Sequence, residues 1–504
     1  MHFLKNIFAN ILGQTYLILS SLIATPFFLQ ILGDEAFGII GFYVILMTWM
    51  NFLDIGFTPA FGRLIAYEKG KPDSDKKVAS VFKSLEIIFL FLSLLVIIIS
   101  TFQSKNISQE WINSVSLSND LINDSIKIMF LIIALRWFRV LYTSGINGLE
   151  DQVWLSSANA FFATLRNFVI IPLLIIFPNI IFYFIYQLIL IFIELVIFRI
   201  RLTKNLSIPE EYSIFHFNWN YLKTILPFAA SSAYGAIIFI GIGQIDRLIL
   251  SGILDLVELG YFSLGIMIVT GILTINASIT NALNPRLTSL YSQNKIPEFD
   301  WFYRRATELQ VILVGCIISV ICLFSYEIIF AWTGNVNAAL WNKDIIVLYA
   351  IAGALQIFFG ASYSLQVAYG DLSLAVKGVT ISALIFLPCI VFATLNYGAY
   401  GAGMTWCILR LVWGLFWSPI VHKNFLESSF LSWLGMSIFL QLSAISSISF
   451  IIYIVTPTLT LNSRVEIFVM VMVFGLILLL FTILTYIYMR KIFFKENTFR
   501  QFIK

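Results

Sequence analysis

Charged side chains are scarce here. Asp, Glu, Lys and Arg together supply 12% of the residues, against roughly 25% in an ordinary soluble domain. Histidine occurs three times (His2, His216, His422), at positions far apart in the chain, so no metal or catalytic cluster can be assembled from it. The four cysteines, Cys316, Cys322, Cys389 and Cys407, lie in apolar stretches without zinc spacing or loop positions suited to disulfides, and read as small apolar fillers. Long polar segments are also missing. The longest outer loop, Gln103–Asp124, is polar and rich in Ser and Asn, and no segment is long enough for a soluble catalytic domain. These absences weigh against an enzyme with an extramembrane active site; no metal, cofactor or nucleic-acid partner is expected.

What the chain has instead is apolar surface. Hydrophobic residues make up 60% of its 504 positions, and the mean hydropathy is +0.92. Water could not be kept from so much apolar area in a soluble fold. A bilayer takes it up in helices of roughly 20 residues each. The run Ile87–Ile99 lacks the alternation of an outer-membrane barrel strand, so an all-α polytopic membrane protein is expected. About fourteen spans are predicted, near 11–32, 38–62, 84–102, 126–147, 153–176, 181–200, 225–250, 259–283, 308–332, 345–369, 377–396, 401–420, 436–456 and 465–488. The apolar run from Ile7 to Leu32 exceeds a cleavable signal core and reads as a retained first span. With the N-terminus inside, the inner segments hold 22 Lys and Arg and the outer ones 4, namely Lys105, Lys127, Lys343 and Arg464. That bias places both termini in the cytoplasm.

The two halves resemble each other at an offset near 222–225. Tyr67 pairs with Tyr291, Lys71 with Lys295, Glu86 with Glu308, Gly148 with Gly370, and Pro172 with Pro388. The predicted domains are therefore a lobe over 1–205, its repeat over 206–424, and an appended helix pair with a basic tail over 425–504. Parallel repeats of six helices form a known transporter arrangement, in which rocking lobes expose a cleft to each side in turn.

Five arginines fall inside predicted spans: Arg136, Arg139, Arg166, Arg247 and Arg410. Each costs roughly 2.5–3.5 kcal/mol at a bilayer centre on insertion scales, so they should face protein or water. Their phase agrees. Arg136, Arg139, Thr143 and Asn147 share one face of the fourth span, and Ser156, Asn159, Ala163 and Arg166 one face of the fifth. The first span carries Asn10, Gly13 and Gln14. Two readings stay open. The arginines could pair with Asp54, Glu194 and Asp246, although three acids cannot neutralise five arginines one to one. Alternatively, they line a cleft that admits an anionic group, with Arg136, Arg139 and Arg166 on one wall and Arg410 facing them. Arginine suits phosphate because its planar donor fork stays charged in a low-dielectric site.

Short motifs then suggest a family. They are Asn10-xx-Gly13 with Pro26-Phe27; Leu32-Gly33-xxx-Phe37-Gly38; and Leu53-Asp54-Ile55-Gly56-Phe57 with Arg63. Next come Gly148-Leu149-Glu150-Asp151-Gln152 followed by Asn159, then Pro227-Phe228, Ile245-Asp246-Arg247 and Leu259-Gly260-Tyr261. In these the chain resembles the polysaccharide transporter branch of the multidrug/oligosaccharidyl-lipid/polysaccharide exporter superfamily, the O-antigen flippase type. The resemblance implies a two-lobed bundle in the bacterial inner membrane. It implies movement of an undecaprenyl-pyrophosphate-linked oligosaccharide, an O-antigen or capsule precursor, to the outer leaflet. It also implies coupling to H+ or Na+, with Asp54, Asp246 and Glu194 as candidate carboxylates, and a polymerase or chain-length regulator as partners. The substrate cleft would draw on Arg136, Arg139, Arg166, Arg410, Arg247, Asn159, Asn147 and Gln14. A flippase for the peptidoglycan lipid precursor is the alternative reading. A multidrug exporter of the same superfamily fits less well, because a cationic drug disfavours excess arginine.

Overall fold

The computed structural model describes residues 2–50, 54, 56–68, 74–206, 217–426, 428–455 and 463–493. Leu53 and Ile55 of the second-span motif, Lys69, Lys71, His216, and the tail residues Lys495, Arg500 and Lys504 lie outside them. The side chains of His2, Lys5, Arg490 and Lys491 are likewise not described.

The described residues are helical almost throughout. In order the helices are α1 (His2–Leu32), α2 (Asp34–Met50), α3 (Phe57–Glu68), α4 (Ser74–Asn106), α5 (Asn119–Gly148), α6 (Gln152–Thr164), α7 (Ile170–Ile176), α8 (Ile180–Leu206) and α9 (Trp219–Leu222). They continue with α10 (Leu226–Ile253), α11 (Leu256–Ser292), α12 (Ile296–Thr333), α13 (Val336–Tyr369), α14 (Ser373–Phe425), α15 (Phe430–Trp433), α16 (Leu440–Val455) and α17 (Arg464–Phe493). The chain forms two compact units, Met1–Gly260 and Tyr261–Lys504.

Among the described residues ten helices are long and apolar enough to cross a membrane, or eleven with the bent pair Leu226–Ile238 and Ile240–Ile253. Fourteen crossings would further require α2, α5 and a second arm of α14 to count. At ~1.5 Å per residue the 53 residues of α14 would run about 80 Å, more than twice a ~30 Å hydrocarbon core. The helix is in fact two, meeting at Gly398, whose φ of 59° is open to glycine.

The second predicted span, 38–62, is not continuous. Helix α2 stops at Met50 and α3 begins at Phe57. Gly56 sits between them at φ 69°, and Asp54 Oδ1 caps α3 by accepting from Thr58 N at 3.1 Å and Thr58 Oγ1 at 2.5 Å. The break lets α3 close against α10: a Cβ on Gly56 would lie 2.2 Å from Ala229 O.

In the first unit α5 packs against α3, α4 and α8, while α1 lies along α6. Tyr16 OH meets Thr164 Oγ1 at 2.6 Å, and Asn167 Nδ2 donates to Ser20 Oγ at 3.0 Å. On the outer loop, Glu35 accepts from Val115 N at 2.6 Å, Ser116 N and Ser116 Oγ, strapping the loop to the start of α2. In the second unit α13 packs between α12 and α14, and α16 and α17 pack on α12. Cys316, Phe324, Ile445, Ile452 and Leu478 form the buried seam there. Arg464 donates to the carbonyls of Ala331 and Trp332 at the end of α12, where a cation suits the helix dipole.

One local arrangement recurs. Glu86 binds Lys83, three residues earlier, at 3.0 Å and accepts from Tyr142 OH at 2.9 Å. Glu308 binds Arg305, also three residues earlier, and accepts from Tyr486 OH at 2.7 Å. The second tyrosine comes from α17, so the appended helix supplies what α5 supplies in the first unit.

Close backbone approach generates a prediction. A Cβ on Gly38 would lie 1.8 Å from Leu256 O, a backbone atom that cannot swing aside, whereas Gly271 meets nothing within 4 Å. Gly38→Ala should lower stability by at least the ~1–3 kcal/mol typical of overpacking, and Gly271→Ala should not. Thermal unfolding of the two purified variants in detergent checks this; equal transitions would refute the packing described.

Candidate functional site

The charges left open by the sequence resolve around one carboxylate. Helix α5 presents Arg136 and Arg139, three residues apart. Between α6 and α7 the chain widens into a π-helical turn, Leu165–Val169, which contains Arg166 and precedes Pro172. Proline has no N–H to donate and disturbs the turn before it, and such bulges often mark functional sites. Tyr186 of α8 donates to Leu165 O at 2.9 Å, bracing the turn. Glu194 sits near the middle of α8, about 20 Å from either end by helix rise.

Glu194 is fully buried. Its Oε1 accepts from Arg139 Nε at 2.5 Å and its Oε2 from Arg166 Nη2 at 2.8 Å. Arg139 also donates to Asn159 Oδ1 at 2.6 Å and lies over the Phe198 ring at 5.2 Å. Arg136 forms no ion pair among the described residues, and its buried Nε has no hydrogen-bond partner there. Arg136 nevertheless lies within electrostatic range of both Arg139 and Arg166. Three guanidiniums thus surround one carboxylate, and guanidinium does not deprotonate in proteins. If Glu194 is ionised the cluster carries two excess positive charges.

The other predicted positions lie elsewhere. Asn147 is exposed at the end of α5 and accepts from Gln152 Nε2 at 2.9 Å. Gln14 is exposed on α1, one residue from Gly13, which packs on Ser156. Asp54 is engaged in capping α3. Asp246 is buried on α10 and accepts from the backbone N–H of Arg247 at 2.9 Å. Arg410, in the second unit, stacks over Trp406 at 4.3 Å. The structure therefore brings together Arg136, Arg139, Arg166, Asn159 and Glu194.

A second ionic cluster escaped sequence reasoning. Glu86 takes Arg199 Nε at 2.9 Å as well as Lys83 and Tyr142, and Asp151 takes Arg201 Nη2 at 2.6 Å. Only the Lys83–Glu86 spacing of three gave a signal, since the arginines come from α8, more than a hundred residues beyond Glu86. Each of these cations has a carboxylate partner, whereas Arg136 has none among the described residues. Among the described residues no group of three His, Cys, Asp or Glu is arranged to hold a metal ion.

Comparison with known proteins places the fold. The family model described as polysaccharide biosynthesis protein matches residues 3–291. The chain superposes on a structure of "Lipid II flippase MurJ, inward closed conformation" with a TM-score of 0.71 at 15% identity, covering 97% of this chain and 99% of that one. An inward-facing multidrug resistance MATE family transporter of the MOP superfamily gives a TM-score of 0.63 at 14% identity, covering 83% and 96%. A MOP superfamily transporter from Pyrococcus furiosus, whose title notes a binding pocket of reversed polarity, gives 0.57 at 13%, covering 84% and 95%. No curated protein sequence matches.

The shared carboxylate makes the arginines unequal. Glu194→Gln leaves three guanidiniums without a counter-charge and should destabilise the fold by about 3 kcal/mol, the lower end for breaking a buried pair. Arg139→Gln in that background should restore part of the loss, and Arg136→Gln alone should leave stability unchanged or raised. Thermal unfolding of these variants in detergent is the check. Equal loss in Glu194→Gln and Arg136→Gln would contradict the pairing.

Proposed function

This chain belongs to the polysaccharide biosynthesis protein family, and from that premise we propose that it is a flippase for a lipid-linked oligosaccharide. Its substrate would be an undecaprenyl-pyrophosphate-linked repeat unit of O-antigen or capsule, carried to the outer leaflet of the bacterial inner membrane by alternating access. The observation that carries this reading is the excess positive charge at mid-helix, with Arg136 outside any ion pair among the described residues and Arg139 and Arg166 on Glu194.

The chemistry follows from the guanidinium fork. A diphosphate offers several charged acceptors, and planar N–H pairs bind them in bidentate fashion. Arg136 would make the first contact. Arg139 and Arg166 would then exchange Glu194 for phosphate oxygens. Of the candidate coupling carboxylates, Glu194 bonds two of the arginines the diphosphate would engage, whereas Asp54 caps a helix. The glycan would occupy wet space while the polyprenyl tail stays in lipid.

A second reading has its own support. The match to the lipid II flippase extends over 97% of the chain, and a peptidoglycan precursor carries the same diphosphate. A cationic drug is disfavoured by the positive cluster.

Arg136→Ala and Arg136→Glu should lower surface glycan at least tenfold at normal membrane abundance, while Arg136→Lys keeps part, having the charge without the fork. Immunoblots of glycan and protein in a complemented deletion strain provide the measurement. Mass spectrometry of the lipid-linked species retained in the inner leaflet separates the two substrates. Normal glycan in Arg136→Glu would overturn the proposal.

A further inference from the structure

A pocket lies in the first unit, at the end of α3 that the loop charges place in the cytoplasm. It has a volume of about 160 Å³ and is lined by Arg63, Tyr67, Glu68, Lys77, Thr224 and Phe228, among others. That is ample for a phosphate group with water, since a single enclosed water needs only ~10–15 Å³. Arg63 and Tyr67 stand four residues apart on one face of α3. The Arg63 guanidinium lies on the Phe228 ring at 4.5 Å. Beside it Lys77 Nζ is bound by the buried Glu68 at 2.8 Å. Tyr67 is 66% exposed.

The comparison with Arg201 is instructive. That guanidinium also rests on an aromatic ring, Trp154 at 5.3 Å, and its anionic partner is Asp151 at 2.6 Å. At Arg63 the stacking recurs, but among the described residues no carboxylate pairs with it. Glu68, the acid lining the pocket, bonds Lys77. Among the described lining residues the charges sum to one positive, with the Arg63 fork oriented by the ring. The geometry points to a binding site for a lipid-borne phosphate group at this inner end, separate from the Arg136 cluster, where the diphosphate docks before it enters the lobe. The assignment of the phosphate to the transported lipid rests on the flippase reading. The phosphate chemistry itself rests only on the pocket.

The test uses the full chain in detergent carrying Arg136→Gln and Arg166→Gln, so that the central cluster is weakened and the pocket at the inner end is read separately. Isothermal titration with inorganic pyrophosphate and with dihexanoyl phosphatidylglycerol should show saturable binding of at least one probe. Adding Arg63→Gln should weaken it at least tenfold. Thr224→Trp, a change at an exposed position that fills the pocket and spares Arg63, should do the same. Binding of pyrophosphate assigns the site to the diphosphate; binding of phosphatidylglycerol alone assigns it to a bilayer headgroup and removes the docking role. Affinity within twofold after both substitutions, or no binding of either probe in the starting background, overturns the site. Loss of pocket binding leaves the wild-type glycan phenotype of Arg136 untouched, so the two proposals fail separately.

Discussion

One carboxylate among three guanidiniums is the constraint on which the first unit is built. Charge is costly in hydrocarbon, and the helices that carry it must bring it together. Glu194 lets α5, the π-helical turn and α8 meet at a common depth by bonding Arg139 and Arg166. Arg136 forms no ion pair with it or with any other acid among the described residues. The same arrangement that holds three segments together therefore leaves positive charge unspent. On the proposed function, stability and anion affinity are properties of one cluster.

The packing around it keeps that cluster in place. Phe198 covers Arg139, and Tyr186 holds the widened turn that aims Arg166. Helix α1 is tied to the same region through Tyr16–Thr164 and Ser20–Asn167. Farther along α5 and α8, Glu86 bonds Lys83, Tyr142 and Arg199, and Asp151 bonds Arg201. There each cation has a carboxylate partner, whereas Arg136 has none among the described residues.

Much of the fold was legible because bilayer helices declare themselves by length and apolarity, so α4, α8, α12, α13 and α17 fall where the hydropathy puts them. Helical phase also placed Arg136, Arg139, Asn159 and Arg166 on convergent faces. Which acid they meet was not legible. Glu194 follows Arg139 by 55 residues and Arg166 by 28, and no local period connects such positions. The break at Asp54 was missed for a related reason. Its neighbours are apolar, and a hydropathy average runs straight through Gly56, whose positive φ and contact with α10 depend on the tertiary fold. The π-helical turn before Pro172 is equally silent in composition. Asn147 shares helical phase with Arg136 and Arg139 but sits at the end of α5, since phase fixes direction and not depth.

The central claim is that unbalanced arginine charge inside the membrane carries a diphosphate. It is tested most directly in proteoliposomes loaded with a fluorescent undecaprenyl-pyrophosphate-linked oligosaccharide, by the rate at which label becomes accessible to an impermeant quencher. Wild-type protein should move the lipid, and Arg136→Gln/Arg166→Gln should slow it at least tenfold with the protein still folded. Equal rates for the two proteins would contradict the claim.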